Sequence, residues 1–333
     1  MGAKTLEELA KKLDVSRRTL SRVLKSDRNV AEETRVRILK YLEREKYFPN
    51  IHAASLASKK VNTIGLIFPK NTFIDADFFA IDIINGVAKA ASEGNYQLMI
   101  FTQDKFDSDQ CLKLYRSRLV GGLIVVAILK DDIDHVSEVK RSQVPITLLC
   151  AYSKDVNSFG CDNIKGGYIA TKYLIGKGKR KIAFIHGSKN SFDSEDRFNG
   201  YKKALSEAGI AVREEYVGYG NFNYDDGEVA MEKLSALEDP PDAVFAANDR
   251  MAIGVLKAIK KAGKRVPEDI AVIGFDNIPL CKHFDPPITT VMQPIKDIAY
   301  ESTRALLDSI DLSHKKMAQI KLFEPKLIVR KSA

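Results

Sequence analysis

The sequence predicts an α/β protein in two parts. A short three-helix unit holding a helix-turn-helix comes first, and a large body of parallel sheets flanked by helices follows. Three observations carry that reading. Apolar residues recur at helical spacing through residues 5–46, with a three-residue break before Ser16. From Thr63 onward, short apolar runs alternate with amphipathic helical stretches, the pattern of βαβ units. The charge is also lopsided: residues 1–60 hold 15 Lys+Arg against 8 Asp+Glu, which leaves 37 against 36 for the other 273. A nearly neutral body behind a strongly basic segment is the electrostatic footprint of a unit that meets a polyanion.

Thr5 with Glu8 fits a capping box, and Leu6, Leu9 and Leu13 follow helical spacing. Leu13, Asp14 and Val15 make a connection tight enough for a helix-turn-helix. Ser16 is a good N-cap for the next helix, whose apolar face is Leu20, Val23 and Leu24. A third run, Val36, Ile38, Leu39 and Leu42, is expected to close a small core. Tyr47-Phe48-Pro49-Asn50 stops it, because proline disfavours the helical region for the residue before it. Residues 51–57 offer Ala53, Ala54 and Leu56 and are too short for a stable helix alone. Residues 58–62 read as a linker. The expected units are therefore 1–48, 49–61 and 62–333.

In the body, strands are expected at 64–68, 97–101, 122–126 and 146–149, with helices near 79–93, 107–118 and 131–141. A second series follows: helix 164–177, strand 182–185, helices 195–208 and 225–237, strand 243–246, helix 249–262 and strand 270–273. The last segments are expected to return and complete two subdomains, 62–161 with 291–323 and 162–290 with 324–333. No apolar run approaches the ~20 residues that cross a bilayer, and the first residues lack the apolar core of a secretory signal, so a cytoplasmic location without membrane contact is expected. Cys111, Cys150, Cys161 and Cys281 stand far apart with no C-x-x-C pair, which argues for buried thiols. The five histidines are isolated and no phosphate-binding glycine loop occurs, so neither catalysis nor a cofactor is expected.

The stretch TLEELAKKLDVSRRTLSRVL, then VAEETR and YFPN, and downstream TIGLIFP, DFFAIDIINGV, GGLIV, VPITLL, EDRFNGYKKAL, DAVFAANDRMAIGVLKAI, VPEDIAVIGFDNIPL and PPITTVMQP resemble, in order and spacing, a LacI/GalR-family transcriptional regulator. The resemblance covers nearly the whole chain. It implies a DNA-binding headpiece, a hinge helix and a two-subdomain core similar to type I periplasmic sugar-binding proteins, acting as a homodimer on operator DNA under the control of a small-molecule effector. That effector would be a sugar, or a non-sugar such as a nucleobase. A solute-binding transport protein shares such a core, but the basic N-terminal unit opposes it. The chain shows no trailing leucine heptads, which favours a dimer.

In a helix-turn-helix the second helix enters the major groove with its N-terminal residues at base edges. Arg17, Arg18 and Arg22 are then the candidate base readers, since an arginine fork matches guanine. Thr5, Ser16, Ser21 and Asn29 are placed for phosphates. The resemblance adds the hinge residues Asn50, Ala53 and Leu56, the last as a minor-groove wedge. For the effector it implies Phe78 and Phe222 as aromatic walls, Arg197 as a bidentate clamp, and Asn248, Asp249 and Asp276 as polar contacts, while Phe79 reads as core. Arg197 with Asp276 also reads as an internal ion pair, and Asn248 as a helix cap. The chain departs from the family pattern at Cys150-Ala151, where Asp-Arg is common, at Ala76-Asp77, where Asn-Pro is common, and at Ala54, where Arg is common. Asp75 or Asp77 is the expected substitute hydroxyl binder.

Overall fold

The computed structural model describes residues 6–24, 29–45, 47, 61–70, 78–311 and 317–333. The chain divides into two units, Met1–Val61 and Asn62–Ala333.

The first unit holds α1 (Leu6–Lys12), α2 (Arg17–Leu24) and α3 (Glu32–Arg44). Leu9, Leu13, Leu20, Val23, Ile38 and Leu42 are buried together. Asp14 takes the left-handed turn between the first two helices with φ of +48°, a conformation that a short polar side chain tolerates. The Arg37 guanidinium from α3 donates to the Leu13 carbonyl at 3.3 Å, tying the third helix to that turn. One expectation fails. Val36 and Leu39 are 42% and 47% exposed, and only Ile38 and Leu42 close the core. At about 100° per residue, Ile38 and Leu42 share a face while Leu39 and Val36 point away from it.

The second unit contains two six-stranded sheets. The first is β1 (Thr63–Pro69), β2 (Gln97–Gln103), β3 (Gly122–Val126), β4 (Ile146–Leu149), β5 (Asn157–Cys161) and β11 (Ile320–Phe323), in the order β11-β5-β4-β3-β1-β2. All its pairings are parallel. The second is β6 (Ile182–His186), β7 (Val217–Tyr219), β8 (Ala243–Ala246), β9 (Ala271–Asp276), β10 (Thr289–Met292) and β12 (Lys326–Ile328), in the order β12-β10-β9-β8-β6-β7, with only β12 antiparallel to its neighbour. Parallel strands with both faces covered must be apolar on both sides. In β3 (GLIVV) every residue is buried. Ile124 and Val126 join the core formed with α4 (Phe78–Glu93), whereas Leu123 and Val125 join the opposite core with α5 (Ser108–Arg116) and α6 (Ile133–Arg141).

The second sheet is flanked by α7 (Asn163–Gly176), α8 (Phe192–Glu207), α9 (Tyr224–Ser235) and α10 (Asp249–Lys261). The chain passes between the sheets after Cys161, after Met292 into α11 (Ile295–Asp311), and after Phe323. Val291 and Met292, expected in the first subdomain, pair in the second sheet with Phe275 and Asp276. No described helix is long and apolar enough to cross a membrane.

Helices α7 and α8 cross where two glycines face each other's backbone. A Cβ on Gly167 would lie 2.0 Å from the Arg197 carbonyl oxygen, and one on Gly200 would lie 2.1 Å from that of Ile164. Gly200→Ala is therefore expected to push the pair apart and to cost about 1–3 kcal/mol, the range of an overpacked core. Urea unfolding checks this, and an unchanged midpoint would show that the helices separate freely.

Candidate functional site

In the first unit, Ser16 caps α2: its Oγ accepts from the Thr19 amide at 3.0 Å and lies 2.8 Å from the Thr19 hydroxyl. The cap fixes the helix start just where Arg17 and Arg18 stand exposed. No acidic residue occupies the first turn of α2, so the two cations sit at the positive end of the helix dipole, an arrangement that costs a few tenths of a kcal/mol or more unless an external anion arrives. Ser21 and Arg22 are half-buried one turn on, and Asn29 is exposed. Thr5, Asn50, Ala53 and Leu56 lie outside the described residues.

The second unit has a cavity of about 350 Å³ that draws its lining from the C-terminal ends of strands in both sheets, the place where open parallel sheets bind ligands. Pro69, Gln103, Val126 and Ala127 come from the first sheet; Ser188, Asn248, Asp276 and Gln293 come from the second. Several of the turns that form this edge are strained. Ala127, Cys150, Phe222 and Asp276 have φ of +50°, +56°, +62° and +111°, conformations that cost of order 1 kcal/mol or more and recur at binding sites.

Arg197 organises the buried part. Only 2% exposed, it donates from Nε to the Asn163 side-chain oxygen at 2.8 Å and from Nη1 to the Ala247 carbonyl at 2.6 Å. Its guanidinium lies over the Phe275 ring at 3.7 Å. Nη2 stands 3.9 Å from both Asp193 and Asp276. The ion-pair reading of Arg197 is thus present, and the residue lines the cavity as well. Burial pushes the Asp193 carboxyl up to about 6, against the opposing pull of Arg197. Gln293 donates to Asp276 at 2.6 Å. Burial likewise holds the Cys150 thiol, next to these carboxylates, far above its usual range, so it is neutral. His186, behind the site, is pushed down to about 4 by burial.

Asn248 does two things at once. Its side-chain oxygen caps α10 by accepting from the Met251 amide at 2.9 Å, while its amide donates to the Phe222 carbonyl at 3.0 Å and holds that aromatic at the cavity. Phe222 fits there because Gly187 has no side chain: a Cβ would meet the ring at 2.1 Å.

Two expectations are corrected. Phe78, expected as an aromatic wall, packs against the core and does not line the cavity, whereas Phe79, read as core, packs against the core and lines the cavity as well. Asp249 is fully buried and turned away: its carboxylate accepts from the Thr290 hydroxyl at 2.5 Å and from the Ile278 amide at 2.9 Å, pinning β10 and the 276–281 loop to α10. Successive residues at a helix start point about 100° apart, so Asn248 reaches the cavity while Asp249 turns towards Thr290 and Ile278. Asp75 and Asp77 lie outside the described residues. Sequence reasoning missed Asp193 and Gln293; Gln293 directly follows β10, the signal that identified Asn248, whereas Asp193 stands in the first turn of α8.

Residues 5–50 match the profile of bacterial regulatory proteins of the lacI family, and residues 171–333 match a periplasmic binding protein-like domain. HTH-type transcriptional repressor PurR of Vibrio vulnificus (strain CMCP6) is 32% identical over 334 residues, 98% of this chain and 97% of its own. The chain belongs to the lacI family. Catabolite control protein A of Priestia megaterium is 34% identical over 308 residues, 91% of each chain. Among solved structures, the transcriptional regulator CelR–cellobiose complex aligns at a TM-score of 0.76 and 31% identity, covering 99% of this chain and 100% of that one. The lac repressor dimer bound to operator and an anti-inducer aligns at 0.86 and 24% identity over 99% of each chain, a likeness of fold. As a lacI-family member the chain is a DNA-binding transcriptional repressor, not an enzyme, and its helix α2 is the second helix of the family's helix-turn-helix.

Proposed function

We propose that this repressor binds a pseudo-palindromic operator as a homodimer and responds to a small sugar held in the cavity of the second unit, so controlling genes of carbohydrate uptake or catabolism. The observation that carries the reading is the composition of the cavity. The Arg197 guanidinium, the carboxylates of Asp193 and Asp276 and the amides of Asn221, Asn223, Asn248 and Gln293 offer donors and acceptors together, beside the apolar rings of Phe79 and Phe222. A sugar needs that mixture: paired polar groups for hydroxyls and an apolar wall for the C–H face of the ring. The likeness to a regulator solved with cellobiose supports the same class.

Because the lining comes from both sheets, a ligand there contacts both halves of the unit and favours the arrangement in which they are close. A ligand shifts such an equilibrium only by its differential affinity for the two states. Transmission to DNA then runs through the segment joining the two units, a coupling between sites through a bistable element. Thermal-shift screening of mono- and disaccharides beside nucleobases tests the class, since a ligand at 100 times its dissociation constant adds about 2.7 kcal/mol. A hit must also change operator affinity in fluorescence anisotropy, and one that stabilises the protein without doing so would break the coupling.

On the DNA side, Arg17, Arg18 and Arg22 read bases from α2, Ser16, Ser21 and Asn29 contact phosphates, and Thr5, Asn50, Ala53 and Leu56 complete the contact. Arg22→Ala is expected to lower affinity for the operator by about 1–3 kcal/mol while leaving affinity for random duplex nearly unchanged. Equal losses on both duplexes would show that Arg22 meets only phosphate.

A further inference from the structure

We infer that the two halves of the second unit are fastened together by a latch made of the protein alone: Asn190 and Phe192, beside the second sheet, grip Lys130, Asp131 and Tyr152, beside the first. The closed arrangement then does not depend on an effector to hold it; the consequence for DNA rests on the proposed coupling to operator binding. The first argument is the set of contacts. In the turn after β3, the Lys130 backbone N–H donates to the Asn190 carbonyl at 3.0 Å. The Asn190 side-chain amide donates to the Asp131 carboxylate at 2.5 Å. Two residues on, the Phe192 ring meets the Tyr152 ring edge to face, with centroids 5.7 Å apart and planes at 83°, and the Lys130 ammonium lies 5.5 Å from the Phe192 ring centre. Phe192 opens α8, a helix of the second sheet, yet its ring packs against the buried cluster of the first sheet that holds Ala151 and Val156. A backbone hydrogen bond, a charge-assisted one, an aromatic pair and a cation over a ring are each modest alone. Here all four fall within three residues of one segment.

The second argument is leverage. The chain crosses between the halves beside β5 and β11 in the first sheet and beside β10 and β12 in the second, at one edge of each sheet. Counted from that edge, the latch segments follow the third and fourth strands of the first sheet, β4 and β3, and the fifth strand of the second, β6. With strands spaced about 4.8 Å apart, they stand on the order of 10–20 Å from the crossings. Halves that swing apart about the crossings must therefore break the latch, whereas contacts beside the crossings would scarcely move. The latch also flanks the cavity: Leu129 and Asp132 on one side and Ser191 and Asp193 on the other line it. Holding the latch shut thus keeps cavity residues of both halves face to face. A ligand that needs both halves binds in proportion to the fraction of molecules already so arranged, and the latch raises that fraction.

Hydrogen–deuterium exchange on the full-length protein without any ligand tests the latch. In Phe192→Ala, amides of residues 127–133 and 150–156, which carry no substitution, are expected to exchange about tenfold faster than in wild type, while β9 and α10 stay as slow as before. The double variant Asp131→Ala with Asn190→Ala should speed residues 150–156 in the same way, and it decides the matter if Phe192→Ala loosens β9 and α10 as well. Exchange that rises only in the segment bearing the substitution, or in neither segment, would overturn the latch, because a broken latch frees both sides. Fluorescence anisotropy with an operator duplex selected from random sequences then reads the consequence. The released variants are expected to differ from wild type in operator affinity by about fivefold or more, the lower end of ordinary coupling between sites. Release across both halves with operator affinity unchanged would overturn the proposed coupling and leave the latch standing.

Discussion

Arg197→Ala is expected to abolish the response to effector and to lower the stability of the second unit by about 3–5 kcal/mol, the cost of breaking a buried ion pair by removing one partner. The geometry explains why so much hangs on one side chain. The guanidinium is the cation between Asp193 and Asp276, the donor to Asn163 and to the Ala247 carbonyl, and the flat group covering the Phe275 ring. Truncation would take the guanidinium away from both carboxylates and remove the donor from two buried acceptors, the Asn163 side-chain oxygen and the Ala247 carbonyl. Asn163 opens α7 just after the chain leaves the first sheet, and Ala247 follows β8, so one residue ties the crossing between sheets to the cavity wall. Arg197→Lys would keep the charge without the fork and should recover part of the stability but not the response. Urea unfolding and operator release on titrating effector measure the two effects separately. An unchanged unfolding midpoint for Arg197→Ala would mean that the carboxylates are neutralised without the arginine.

The elements that sequence alone revealed are those whose burial is uniform. GLIVV, ITLL and AVFA are apolar throughout and are buried throughout. The strands not foreseen, NSFGC, VGY, TTVM, IKLF and KLI, are short or half polar. Three of them, β7, β11 and β12, sit at sheet edges, where one side has no partner strand and a continuous apolar run is not required. The same limit governed the site. Asn248 and Asp276 were found because they end or follow readable strands. Gln293 was not found because β10 was not read, and Asp193 was not because α8 begins at Phe192, three residues before its apolar periodicity suggests. Phe78 and Phe79 are neighbours at the start of one helix; only the packing of that helix decides which ring reaches the cavity.

The second large effect is a pH dependence carried by Asp193. Burial raises its carboxyl from an ordinary 3.8 to about 6 in the folded protein, so the folded state holds the proton more tightly than the unfolded chain does. The stability this confers is present in full below about pH 4 and is lost as pH rises through 6, a change of about 3 kcal/mol for two pKa units. Asp249 is raised to about 6 as well, again by burial, and adds a slope of the same sign, so the wild-type curve alone cannot assign the effect. Asp193→Asn isolates it. The variant is the neutral mimic at every pH, and its stability relative to wild type is expected to climb between pH 4 and 7 and then level off. Parallel curves would show that Asp193 is ionised in the fold at no cost, with Arg197 compensating it fully.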